Sequence, residues 1–201
     1  MADKKDLTEA EKRFLGVNSI KDVEVVEGQQ ADANRQAQAF EQRLIAEAIE
    51  YGDSLMRYVI GHHRLSPAQR AWAIVLGILN VRREYPSPEE FDELADRGGA
   101  DLQLQTRNVI TDPDRIAEIA RDLPPFDNEE LRGAAKFAEQ FAGYIGMKLR
   151  QMGVDARQSV YGIGRVMHNV RFTFPMDQGG TAAFDELARR AGAYYDRYKD
   201  S

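Results

Sequence analysis

Ala71-Trp72-Ala73-Ile74-Val75-Leu76-Gly77-Ile78-Leu79 is the longest unbroken apolar run in the chain. It lies inside a longer helical segment, 67–85, opened by Ser66 and Gln69 at capping-box spacing with Pro67 at the first helical position. A helix that is apolar all round belongs at the centre of a bundle, covered on every side. Gly77 within it permits close approach of a neighbouring helix, at a propensity cost near 1 kcal/mol. Trp72 reads as a core anchor rather than a ligand platform.

Upstream, the segment 31–62 is helical by the same reasoning and would be about 48 Å long if continuous. A compact chain of this size is only about 40 Å across, unless Gly52 breaks the helix. On a helical projection Phe40, Leu44, Ala48, Tyr51, Leu55 and Val59 share one arc. Ile45, Ile49, Met56 and Ile60 form a second apolar arc beside it, leaving Arg43, Glu47, Glu50, Ser54 and Arg57 as a narrow solvent stripe. An ordinary surface helix has one apolar stripe, so this one needs two covers. Other helices of the chain supply both, or a partner supplies one across Ile45, Ile49, Met56 and Ile60. The short turn Gly61–Ser66 joins 31–62 to 67–85 as an antiparallel hairpin that organises a mainly α, multi-helix bundle.

Further helices are expected at 8–15, 88–97, 113–122, 128–152, 156–168 and 181–198. Thr8 with Glu11, Ser87 with Glu90 and Asp127 with Glu130 repeat the cap spacing, Pro88 and Pro113 follow caps, and Gly16, Gly98 and Gly153 stand where helices would stop. Three short stretches alternate instead, near 22–27, 102–106 and 170–174, and can pair into a small β element or serve as extended connectors. Residues 1–30 read as a partly mobile segment and 31–201 as one helical domain. Phe91-Asp92-Glu93-Leu94-Ala95 recurs as Phe184-Asp185-Glu186-Leu187-Ala188, an echo that amphipathic first turns produce by coincidence.

Composition narrows the function. The chain has 201 residues, no cysteine and a formal charge of −6. That excludes disulfides and thiolate chemistry, fits a reducing cytoplasm, and disfavours nucleic acid or anionic lipid as a partner. No apolar run approaches the length of a bilayer span. The charge is uneven, since Lys148 to Arg171 holds five Lys or Arg against one acid, Asp155.

Motifs for phosphate loops, zinc helices, nucleophile elbows and EF-hands are absent. Gly162-Ile163-Gly164 lacks the third glycine and the strand–turn–helix setting of a dinucleotide site. His62 and His63 sit at a helix end, where an imidazolium complements the dipole. In 156–168, Arg157, Tyr161, Arg165 and His168 line the side opposite Val160, Ile163 and Met167, a pattern that can hold an anion or pair with acids of 88–97 and 113–122. Tyr194, Tyr195 and Tyr198 read as docking contacts.

Glu47-x-x-Glu50 and Glu93-x-x-Asp96 resemble the ExxE and ExxD pairs of the all-helical nucleoside triphosphate pyrophosphohydrolases. The resemblance covers those four positions and implies magnesium-dependent chemistry on a nucleotide, whereas ion pairing with Arg43 and Arg57 is the alternative use of Glu47 and Glu50. The reading adopted is a non-enzymatic helical interaction or assembly protein, self-associating through 31–62, with no cofactor and no metal. A binding protein or enzyme for a phosphorylated small molecule is the alternative, and an anion or nucleic-acid contact through Arg157, Arg165 and His168 is a third reading.

Overall fold

The computed structural model describes residues 20–62, 64–100, 102 and 109–199. The expected helix 8–15, the alternating stretch 102–106 beyond Leu102, and His63 lie outside the described residues. Among the described residues there are seven α-helices, one short 3-10 turn and no strand. The helices are α1 (Ile20–Gly61), α2 (Pro67–Glu84), α3 (Pro88–Ala100), α4 (Pro113–Asp122), α5 (Asn128–Met152), α6 (Ala156–Phe172) and α7 (Gly180–Tyr198). None of them is long and apolar enough to cross a membrane.

The chain divides into two units, Met1–Leu44 and Ile45–Ser201, with the division inside α1. In the first unit α1 is continuous from Ile20, and the side chains of Arg35, Gln38, Glu41 and Arg43 are exposed. The second unit holds the bundle. Its centre is α2, where every residue from Ala71 to Ile78 is buried. Helix α5 covers one side, with Gly77 so close that a Cβ there would lie 2.9 Å from the Ala138 carbonyl oxygen. Helix α7 covers another through Trp72, whose ring meets Tyr194 edge-on at 5.1 Å.

Local chemistry explains where the helices start. Ser66 and Gln69 form a complete capping box, as do Asp127 with Glu130 and Asp155 with Gln158. Each satisfies two orphan backbone N–H groups reciprocally. Gly153 ends α5 in the left-handed region at φ 66°.

Four expectations need correction. The stretch 22–27 is helical within α1, because an isolated run of alternation without a partner strand satisfies its backbone only in the helix ladder. The stretch 170–174 continues α6 to Phe172, and Thr173 closes it by donating from Oγ1 to the Asn169 carbonyl oxygen at 2.7 Å. Gly98 does not stop α3, which runs through Gly98 and Gly99 to Ala100. Gly52 does not break α1. These glycines exist for close approach: a Cβ on Gly52 would lie 2.9 Å from the Gly162 carbonyl oxygen, and one on Gly98 or Gly164 would overlap the backbone of Tyr161 or Ala95. Helix α6 is therefore wedged tightly between α1 and α3, and Gly162-Ile163-Gly164 is its packing seam.

The pentapeptide echo belongs to a longer correspondence. Ser66-x-x-Gln69, Asn80-Val81-Arg82, Tyr85-Pro86 and Phe91-Asp92-Glu93-Leu94-Ala95 are matched in order by Asp155-x-x-Gln158, Asn169-Val170-Arg171, Phe174-Pro175 and Phe184-Asp185-Glu186-Leu187-Ala188. The parts do the same work in both places. Both polar pairs are capping boxes. Arg82 grips Asp92 through Nε and a terminal nitrogen, both at 2.7 Å, and Arg171 grips Asp185 at 2.6 and 2.7 Å. Phe91 and Phe184 are both sunk in the core. Packing is exchanged between the halves, with α3 lying on α6 and α7 on α2.

Candidate interaction surface

From Ile45 onward α1 is covered on two sides by α5 and α6. Ala48, Tyr51, Leu55 and Val59 are buried, as their shared arc predicts. Tyr51 ties three helices together, donating to the Ile145 carbonyl oxygen at 3.0 Å and accepting from Ser159 Oγ at 3.2 Å. Burial pushes its phenol up to about 12, against a smaller lowering by the Ser159 hydrogen bond, so it stays protonated at neutral pH. Two turns on, Tyr58 stacks on Tyr144 at 4.0 Å and meets His62 at 4.5 Å. His62 donates from Nδ1 to the Tyr58 carbonyl oxygen at 2.8 Å, filling an orphan acceptor at the helix end.

The solvent stripe is only partly where the sequence pattern places it, since Arg43, Glu50 and Arg57 are exposed but Glu47 and Ser54 are not. Ser54 is only 6% exposed, and Glu47 accepts from Gln158 Nε2 at 2.9 Å. Helix α6 supplies the cover for Glu47. From Ile45 onward the exposed side chains are Glu50 and Arg57, as expected, together with Ala46, Asp53 and Ile60. At about 100° per residue the open face has turned roughly 60° toward the second apolar arc. Ile60 stands 54% exposed, Ile45 and Ile49 lie half-buried along the edge, and Met56 is packed onto the core. Met56 and Ile60 also line a groove of about 150 Å³ with Pro67 and Phe174.

The basic helix packs on α3, with Tyr161, Arg165 and His168 covered to different degrees and Arg157 left 70% exposed at its start. Arg157 reaches Glu90 at 3.3 Å, and His168 Nε2 lies 3.7 Å from Asp96. Tyr161 is 6% exposed against the α3 seam. Arg165 is half-buried, with its Nε lacking a hydrogen-bond partner among the described residues. The four do not make an open cationic row.

Glu47, Glu50, Glu93 and Asp96 do not converge either. Glu50, Glu93 and Asp96 are exposed, and among the described residues no three His, Asp or Glu side chains are grouped as metal ligands would be. The magnesium cluster that the pyrophosphohydrolase resemblance implies is not assembled.

A larger feature has no counterpart in the sequence reading. A cleft of about 580 Å³ opens between α2, the end of α4, the Pro124-Pro125-Phe126 connector and α7. Trp72, Phe126 and Tyr194 line it together with four arginines, Arg121, Arg189, Arg190 and Arg197. Its signal was the density of Arg and Tyr late in α7, but only folding brings Trp72 and Arg121 to the same place. No known family, characterised protein or solved structure matches the chain.

Proposed function

We propose that the chain is a non-enzymatic assembly protein that pairs with a second copy of itself through the open face of α1, in a reducing cytoplasm. The observation that carries this reading is the exposure of Ile60, with Ile45 and Ile49 half-covered on the same side. The face is self-complementary on either side of Asp53, whose two carboxylates meet at the axis where the helices cross. Ile60 lies about 10 Å beyond Asp53 along the helix, and Ile45 and Ile49 lie about 6–12 Å before it. Two copies crossing antiparallel at Asp53 set Ile60 of each against Ile45 and Ile49 of the other. The same operation brings Arg57, about 6 Å past Asp53, beside Glu50 of the other copy, about 4.5 Å before it. A two-fold contact of this kind is the commonest form of oligomer.

The test is the native mass across a dilution series, by size-exclusion chromatography with light scattering. The wild type should run at twice 22.7 kDa, and Ile49→Glu/Ile60→Glu should run at 22.7 kDa with its helicity intact. A wild type that stays at 22.7 kDa at every concentration contradicts the proposal, as does a double variant that remains dimeric.

A further inference from the structure

The cleft between α2, α4 and α7 has a lining of definite chemistry, and it shares no lining residue with the α1 face. Its volume of about 580 Å³ falls in the range of small-molecule sites. Trp72 forms its floor, with Phe126 edge-on at 6.0 Å and Tyr194 at 5.1 Å, so the base is aromatic and rigid. Two prolines in succession, Pro124 and Pro125, fix the adjoining connector.

The arginines divide into two kinds. Arg190 is structural. It donates to Glu186 at 2.7 Å and to the carbonyl oxygens of Ala120, Leu123 and Pro124 at 3.0–3.2 Å, tying the end of α4 to α7. Arg189 shares Glu186, with both of its bonds at 2.7 Å. One carboxylate thus serves two guanidinium groups and leaves a positive surplus. Arg121 and Arg197 are uncommitted by comparison. Arg121 is 73% exposed and has only a 3.7 Å contact with its neighbour Asp122, and exposed Arg197 makes no ion pair among the described residues. No acidic side chain lines the cleft.

We infer that this cleft binds a small organic oxyanion with a flat aromatic body. The body packs against the half-buried rings of Phe126 and Tyr194, above the 2% exposed edge of Trp72, and its carboxylate or phosphate is taken by Arg121 and Arg197. Planar guanidinium groups match oxyanions in two-point contacts and also stack on aromatic faces, so both parts of such a ligand are recognised. Aromatic walls alone would suit a neutral ligand, and arginines alone would suit inorganic phosphate. The combination selects a molecule carrying both.

Titration calorimetry on the full chain, with 1-naphthyl phosphate and 1-naphthoate as probes, tests this. Both anions should bind, and their ranking tells phosphate from carboxylate. Inorganic phosphate and neutral 1-naphthylmethanol should each bind at least about ten-fold more weakly than the better anion. Arg121→Ala/Arg197→Ala should weaken that anion by about ten-fold or more without moving the melting temperature, since both side chains are exposed. Trp72 is the one tryptophan of the chain, so its emission should also respond to phenyl phosphate. Absence of binding by both naphthyl anions, binding by inorganic phosphate as tight as by the aromatic probes, or an unaltered affinity in the double variant would each overturn the inference.

Discussion

The half containing α2 and α3 and the half containing α6 and α7 share their caps, their Arg–Asp clamps and their buried phenylalanines, yet one is closed where the other is open. Helix α3 lies against α6 along Ala95, Gly98 and Gly99, with Gly164 facing it; no side chain larger than a methyl fits between the backbones there. In the matching position on α2 stands Val75, and in those on α7 stand Ala188, Ala191 and Gly192. A Cβ on Gly99 would overlap the His168 ring, whereas one on Gly192 meets nothing within 4 Å. The seam residues set how near two helices can come, and the looser pair leaves room for the arginine-lined cleft. Lining residues differ in the same direction: Asp96 and Asp101 stand where the second half has Arg189 and Tyr194. Caps, clamps and buried phenylalanines are what the halves have in common, and the tightness of the seam and the residues beside it are where they part.

The largest effect should come from giving the tight seam the residue of the loose one. Gly164→Val forces a branched side chain into the Ala95 backbone and should cost about 3 kcal/mol or more in chemical denaturation. A loss under about 1 kcal/mol would mean that α3 and α6 can separate freely. Next comes Glu186, whose carboxyl is held down at about 2, chiefly by the Arg189 hydrogen bonds and then by those of Arg190. Glu186→Gln should cost about 2 kcal/mol at neutral pH. Because the folded value lies below the ordinary 4.5, this stability is fully present above pH 4.5 and fades as pH falls toward 2. The gap between wild type and variant should close over that interval; a gap independent of pH would place the cause in packing. The smallest effect concerns what the halves share. Asp92→Asn and Asp185→Asn should each cost about 1 kcal/mol, by similar amounts, less at high salt. A much larger loss at one of them would show that the two clamps are not equivalent.

Most of the fold could be read from the residues. Ser66-Pro67, Asp112-Pro113 and Asp127 mark helix starts by local hydrogen bonding, which needs no knowledge of the rest of the chain. What failed was anything decided by a distant neighbour. Gly98 has the chemistry of a helix stop and of a close approach alike, and only the presence of Tyr161 distinguishes them. Glu47 looks solvated until α6 supplies Gln158, and Ser54 looks solvated yet is only 6% exposed. Val170–Phe174 alternates over too few residues to separate a strand from the last turn of a helix. The correspondence of the halves was hidden because the connectors between Tyr85-Pro86 and Phe91 and between Phe174-Pro175 and Phe184 differ in length. The cleft was least legible, since its lining comes from α2, α4, α5, α7 and a connector.

The claim that α1 joins two copies is tested most directly at its crossing point. The chain has no cysteine, so Asp53→Cys introduces a single thiol at the centre of the proposed two-fold contact. Helices crossing at that residue bring the two sulfurs within bonding reach. Mild oxidation should convert this variant to a covalent dimer on a non-reducing gel, while Glu129→Cys, at an exposed site on α5, stays monomeric. Crosslinking at Asp53 that is no faster than at Glu129 would contradict a two-fold contact through α1.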